Sequence, residues 1–137
     1  MLKLVFYVSF KTTPWPLDEP DLAAITEVAQ SRNADLDVTG ALVSTQRHFS
    51  QVLEGPPAGV DAIMDSIARD PRHRAMRIVE VRPAQHRLFP EWSLAYAGRA
   101  TYVGAMIAPL VEGGTEPDAQ RLMACIRKFA STLDAGA

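Results

Sequence analysis

At 137 residues the chain is one domain's worth, long enough to build a single core without metal or disulfide staples. Its 47% apolar and 22% charged content is ordinary for a globular protein, and a net charge of -2 argues against nucleic acid, which calls for a basic stripe. The single cysteine, Cys125, cannot close an internal disulfide, which fits a reducing, cytoplasmic setting. The apolar run Leu2 to Phe10 leads into Lys11-Thr-Thr-Pro-Trp-Pro16 and not into a small-residue cleavage site, so it reads as a strand, not a signal peptide. Tyr102 to Val111 is too short to span a bilayer and contains Pro109. No membrane segment, repeat or low-complexity tract divides the sequence.

In the first predicted strand, Lys3 to Ser9, Leu4, Phe6 and Val8 share one face and Val5, Tyr7 and Ser9 the other, apolar enough on both to be central. Pro14, Pro16 and Pro20 force a loop, after which Asp18 or Asp21 can cap a helix to about Arg32 with Leu22, Ile25, Val28 and Ala29 as its apolar stripe. Asn33 follows as a candidate left-handed C-cap. Val38 to Ser44 reads as a second strand, joined by Thr45-Gln-Arg47 to a third around Gln51. Gly55-Pro-Pro57 stops that strand and opens a second helix, with Val60, Ile63, Met64 and Ile67 as the buried stripe and an end near Asp70-Pro71. Met76 to Arg82 and Trp92 to Ala97 make the fourth and fifth strands.

This order predicts an α+β fold, a ferredoxin-like βαββαββ sheet with two helices on one face. Two further helices are predicted, about 102–110 and 116–133, separated by Gly113-Gly114, the second capped by Thr115 and with Lys128 placed for the helix dipole. Their expected place is the opposite sheet face, where they could also carry part of a dimer interface. Residues 1–98 read as the core and 99–137 as a helical extension of the same domain.

Polar residues on core faces carry the chemistry. Phe49, Gln51 and Leu53 share a strand face, leaving His48, Ser50, Val52 and Glu54 on the other, so an uncharged amide sits between two large apolar side chains. Such an amide costs about 1–3 kcal/mol if unpartnered, so backbone, water or a polar ligand must meet it. Tyr7, Asn33 and Trp92 each fit a core or cap role when taken singly.

Taken together these segments resemble the BLUF family, flavin-binding sensors of blue light. Leu4-Val-Phe-Tyr7-Val-Ser9 is similar to the family's first strand with its photoactive tyrosine, and Ser31-Arg-Asn33-Ala-Asp-Leu-Asp-Val-Thr-Gly40 to its asparagine segment. Phe49-Ser-Gln51-Val-Leu-Glu-Gly55 resembles its most specific signature, Asp70-Pro-Arg72-His73 the loop after the second helix, and Arg87-Leu-Phe89-Pro-Glu-Trp92-Ser the approach to the fifth strand. The likeness runs in order over residues 3 to 97.

The resemblance implies FAD held between the two helices, although the residues themselves fit FAD or FMN. Ile25, Val28, Ile63 and Ile67 would sandwich the ring, and Asn33 would bond its pyrimidine edge. Arg72 and His73 would hold the ring or its ribityl-phosphate tail. Gln51 would reach N5 and the C4 carbonyl, with Tyr7 bonded to Gln51. Under blue light Tyr7 would give an electron and then a proton by way of Gln51, whose amide ends rotated or tautomerised, with a reversible red shift of the absorption. Tyr7, Gln51 and Trp92 are thus the photoactive set, with no net turnover and hence no enzyme activity.

Output would run through the fifth strand, expected beside Gln51, and through association with a second copy or an unknown downstream protein, since no effector follows residue 137. Three positions depart from the family pattern: Leu94 stands where a methionine is common, Arg47 for a glycine and Ser44 for an aromatic. The alternatives are a small ferredoxin-like enzyme, for which Ser9-Phe-Lys-Thr-Thr13 is a poor anion loop, and a flavin-free interaction module.

Overall fold

Strand β1 (Leu2–Lys11) is apolar on both faces because it lies inside the sheet, between two antiparallel neighbours. In the computed structural model, which describes residues 1–12, 19–98 and 101–136, it is followed by α1 (Glu19–Asp35), β2 (Thr39–Ser44), β3 (His48–Gly55), α2 (Pro57–Ala68), β4 (His73–Ala84), β5 (Trp92–Ala97), α3 (Thr101–Val111) and α4 (Glu116–Gly136). The sheet order is β4-β1-β3-β2-β5, with β5 parallel to β2 and every other neighbour antiparallel. This is the expected α+β, ferredoxin-like βαββαββ arrangement.

Alternation in the central strands divides the interior in two. Val5, Tyr7, Leu42, Phe49 and Leu53 face Ala29 of α1 and Val60, Ile63 and Ile67 of α2. Leu4, Phe6, Val8, Ala41, Val43 and Val52 face Val103, Ile107 and Leu110 of α3 and Leu122, Ile126 and Ala130 of α4. Each fully buried Leu, Ile or Phe contributes about 1.5–3 kcal/mol, so both layers weigh heavily in stability. Pro57 opens α2, where its missing N–H costs nothing. Thr115 caps α4: its Oγ1 accepts from Asp118 N at 3.4 Å, while its own N–H donates to the Asp118 carboxylate at 3.0 Å.

Several boundaries differ from the sequence reading. Helix α1 runs to Asp35, so Asn33 lies in its last turn and is not the cap. The left-handed residue is Asp37 (φ 56°), with Val38 N bonded to Asn33 O at 2.8 Å and Asp37 N to Ala34 O at 3.1 Å, a Schellman closure. Asp21 is inside α1, whereas Pro14, Pro16 and Asp18 lie outside the described residues. Val28 is 63% exposed and does not belong to a buried stripe, and Met64 is only half-buried. Strand β4 is longer than its alternation suggested, because as an edge strand it exposes residues on both faces. Lys128 falls short of the last turn of α4, which runs three residues further than expected, to Gly136 and not 133.

β5 does not lie beside Gln51. Strand β2 stands between β3 and β5, and the parallel β2–β5 pairing sets Gly40 against Trp92 and Leu42 against Leu94. Gly40 (φ 153°) is confined to glycine, since a Cβ there would sit 1.8 Å from Val52 O. No helix among the described residues is long and apolar enough to cross a membrane, and no cluster of metal-ligating side chains occurs among them.

Candidate functional site: a polar chain across the sheet

The β1–β3 register sets Tyr7 directly opposite Gln51, both toward the α1 and α2 side. Gln51 Nε2 donates to Tyr7 Oη at 2.7 Å, and Trp92 Nε1 donates to Gln51 Oε1 at 2.9 Å. The indole thus points inward from β5 across β2. All three residues are buried, Tyr7 completely. Burial pushes the Tyr7 phenol far above its ordinary pKa, more than the Gln51 hydrogen bond and the Arg32 charge lower it, so it stays protonated at neutral pH.

Asn33 is fully buried. In the amide orientation that satisfies both ends, Nδ2 donates to Ala29 O at 3.3 Å and Oδ1 accepts from Trp92 Nε1 at 2.9 Å. One indole N–H therefore lies within reach of two amide oxygens.

This chain opens on a cleft of about 430 Å³ between the two helices. Ile25, Val28 and Arg32 of α1 form one wall, Ser66 and Ile67 of α2 the other, and Leu42 and Phe49 part of the floor. Arg32 Nη1 donates to Ser66 Oγ at 3.2 Å, joining the helices.

At the rim Arg72 Nε lies 2.9 and 3.0 Å from the two Asp70 carboxylate oxygens, and Arg72 N donates to Asp70 Oδ1 at 2.9 Å. These hydrogen bonds hold the Asp70 carboxyl below its usual range. His73, the first residue of β4, has Nδ1 hydrogen-bonded to Ser9 Oγ at 2.7 Å, and its ring packs 4.6 Å from Phe49 and edge-on at 6.0 Å to Tyr7. Burial brings its pKa down to about 4, so the imidazole is neutral at physiological pH.

Of the residues singled out from the sequence, Tyr7, Ile25, Gln51, Ile67, Arg72, His73 and Trp92 all line this cleft. Asn33 does not line it and meets the chain through Trp92, and Ile63 is fully buried in the core beneath. Arg32 and Asp70 are further members that sequence reasoning gave no place in the site, and Phe49, read only as a core neighbour of Gln51, is another. Arg32 adjoins Asn33 and Asp70 lies two residues before Arg72 in segments already singled out, but both were read as helix ends. The described part of Ser9 to Thr13 is mostly strand and not an anion loop: Ser9 is tied to His73, and Lys11 is buried with Nζ donating to Thr45 O.

A family profile described as sensors of blue light using FAD matches residues 2–95. The chain belongs to the BLUF family. Photoactivated adenylate cyclase subunit beta of Euglena gracilis is 38% identical over 97 residues, 70% of this BLUF chain but 11% of that protein. A subunit beta-like protein FB from the same organism is 32% identical over 134 residues, 97% of this chain and 14% of its own length. The chain therefore spans about a tenth of the curated relatives it matches.

Among solved structures, BlrB, a BLUF protein in its dark state, is 27% identical with a TM-score of 0.72 over 96% of both chains. Klebsiella pneumoniae BlrP1 with FMN and cyclic diGMP is 28% identical with a TM-score of 0.60, over 72% of this chain and 25% of that one. BLUF domains are photosensor modules that bind flavin, and the donor set here fits one: apolar walls for a flat ring, an amide for its polar edge and guanidinium groups for an anionic tail.

Proposed function

We infer that this chain is a blue-light photoreceptor that holds FAD between α1 and α2 and reports light through Tyr7, Gln51 and Trp92. The observation that carries the reading is the unbroken Trp92–Gln51–Tyr7 hydrogen-bond chain ending on the cleft. The flavin supplies the light-driven oxidising power. Ile25 and Ile67 clamp the ring, Arg72 and His73 steady the ring or the phosphate-bearing tail, and Asn33, which does not line the cleft, acts through the Trp92 indole. The neutral His73 adds a hydrogen-bonding edge without a charge beside Tyr7.

With flavin bound, Tyr7 would supply the electron and the phenolic proton that the excited ring takes up, and Gln51 would relay the proton because an amide carries both donors and an acceptor. In the present orientation Oε1 takes the indole N–H and Nε2 donates to the phenol oxygen. A rotated amide offers Oε1 to Tyr7 and sets Nε2–H against the indole N–H, a donor facing a donor. Asn33 Oδ1 stands ready as the second acceptor for that indole. Rotation of Gln51 thus hands Trp92 from one amide to the other, which supplies the two-state element a signal needs. Leu94 has no thioether to join this exchange, and Trp92 carries it.

The reading includes no net substrate turnover by this chain. Residues 1–98 act as the sensor core and 99–137 as its helical extension. The output is association in the cytoplasm, with a second copy or a separate protein. The test is the visible spectrum before and after blue light: the parent shows a flavin spectrum that shifts reversibly to the red without bleaching. Tyr7→Phe and Gln51→Leu retain the flavin and lose the shift. A normal red-shifted photoproduct in Tyr7→Phe sinks the assignment of Tyr7, and a colourless parent that refuses added FAD sinks the reading as a whole.

A further inference from the structure

Among the described residues β5 is bonded within the sheet only to β2, yet its first residue places an indole nitrogen 2.9 Å from Gln51 on β3. A whole strand lies between, so the ladder hydrogen bonds alone do not fix that distance. The loop before β5, residues 85–91, is hydrogen-bonded to β3 from the other side of the sheet. Glu54 lies on β3 three residues beyond Gln51 with its side chain on the opposite face, fully buried. Its carboxylate accepts the Leu88 N–H at 2.9 Å to each oxygen and the Phe89 N–H at 2.8 Å.

Arg87 closes the grip. Its Nη1 donates to Thr39 Oγ1 at 2.7 Å and to Glu54 O at 3.0 Å, and its Nη2 donates to Asp37 O at 2.9 Å and pairs with the Asp37 carboxylate at 3.2 Å. Gly40 N adds a bond to Glu91 O at 3.3 Å, next to Trp92.

A carboxylate is a costly side chain to bury, and Val52 and Ala41 on the same face show that apolar residues fill it well. Its donors here are two loop N–H groups three and four residues ahead of Trp92. We propose that Glu54 is a positioning residue that holds the 85–91 loop to β3, so that the Trp92 indole meets the Gln51 amide and fixes its orientation. Phe89 also enters the core beneath α3 and α4, and Leu88, Phe89 and Pro90 line a groove with Ala124 and Lys128 of α4. The same clamp therefore ties the amide to the helical face. Its consequence in light rests on the photosensor reading; its geometry does not.

The experiment records the indole N–H resonances of the ¹⁵N-labelled full chain in the dark, with Trp92→Phe assigning the signal. Glu54→Gln, which sets an NH₂ donor against the Leu88 N–H in place of the second carboxylate oxygen, moves the Trp92 indole proton upfield as its hydrogen bond is lost, and speeds dark recovery about fivefold or more. Leu110→Ala, which weakens the same face from α3 and leaves every hydrogen bond of the clamp its partners, leaves the resonance in place. Arg87→Gln is read the same way with a smaller displacement, and keeps the question answerable if Glu54→Gln does not fold. An unmoved Trp92 resonance in the folded variants overturns the proposal. A moved resonance in a chain whose parent shows no light-induced shift upholds the clamp and removes the photosensor reading.

Discussion

Beneath α3 and α4 the sheet is sealed: Leu4, Phe6, Val52, Ile107, Leu122 and Ile126 are all fully buried, and the one carboxylate among them, Glu54, has its hydrogen bonds made. Beneath α1 and α2 the same strands present Tyr7, Gln51 and Trp92 in a polar line, and Val28 stays 63% exposed on a cleft wall. The sealed face supplies the apolar burial, and the cleft face keeps polar atoms in place that would weaken a core if unpaired. Both layers hold the fold, but that division lets hydrogen bonds exchange on the cleft face while the sealed face stays intact.

The comparison breaks most visibly on the sealed side. Leu122→Ala costs about 2–5 kcal/mol and lowers the thermal midpoint by roughly 10 °C, read by circular dichroism. Next in size is a pH effect on the cleft side. The unfolded chain protonates His73 near 6.5 and the fold only near 4, so the stability it supplies is full above pH 6.5 and falls as pH drops toward 4. His48, shifted down by burial and by Arg47 and Lys11, acts in the same sense. Unfolding free energies from urea titrations at neutral and acid pH should differ by of the order of 2 kcal/mol, and His73→Gln should flatten the slope.

Ser44 offers a smaller change of opposite sign. Its Oγ is buried and has no partner among the described residues, so Ser44→Ala should stabilise by about 1 kcal/mol and raise the midpoint by a few degrees. Val28→Ala should change stability least, by under about 1 kcal/mol, while weakening flavin retention on dilution. Equal losses for Leu122→Ala and Val28→Ala would erase the distinction between the faces.

Much of this was legible in the residues. Period-two alternation gave both faces of β1 and β3, and Gln51 stood out as an amide between Phe49 and Leu53. Sheet order was not, because nothing local in Trp92 to Ala97 tells β5 to pair with β2 and leave β3 to the indole alone. Asn33 was misplaced because the sequence does not distinguish its backbone from that of Asp37, which takes the left-handed turn. Glu54 was assigned to the correct face, but its role depends on two N–H groups more than thirty residues away, which only tertiary contact brings near.

Strand β4 carries a last consequence. Its pairing with β1 is interrupted between Phe6 and Tyr7 and again between Val8 and Phe10, Ala75 turns through φ 51°, and Arg74, Arg77, Arg82 and Pro83 stud its length. A bulged, cationic edge is a poor template for an incoming strand, while at the far side β5 is only six residues long. The protein should therefore tolerate high concentration without growing fibrils, despite the apolar Ile78 and Val81 exposed on that edge.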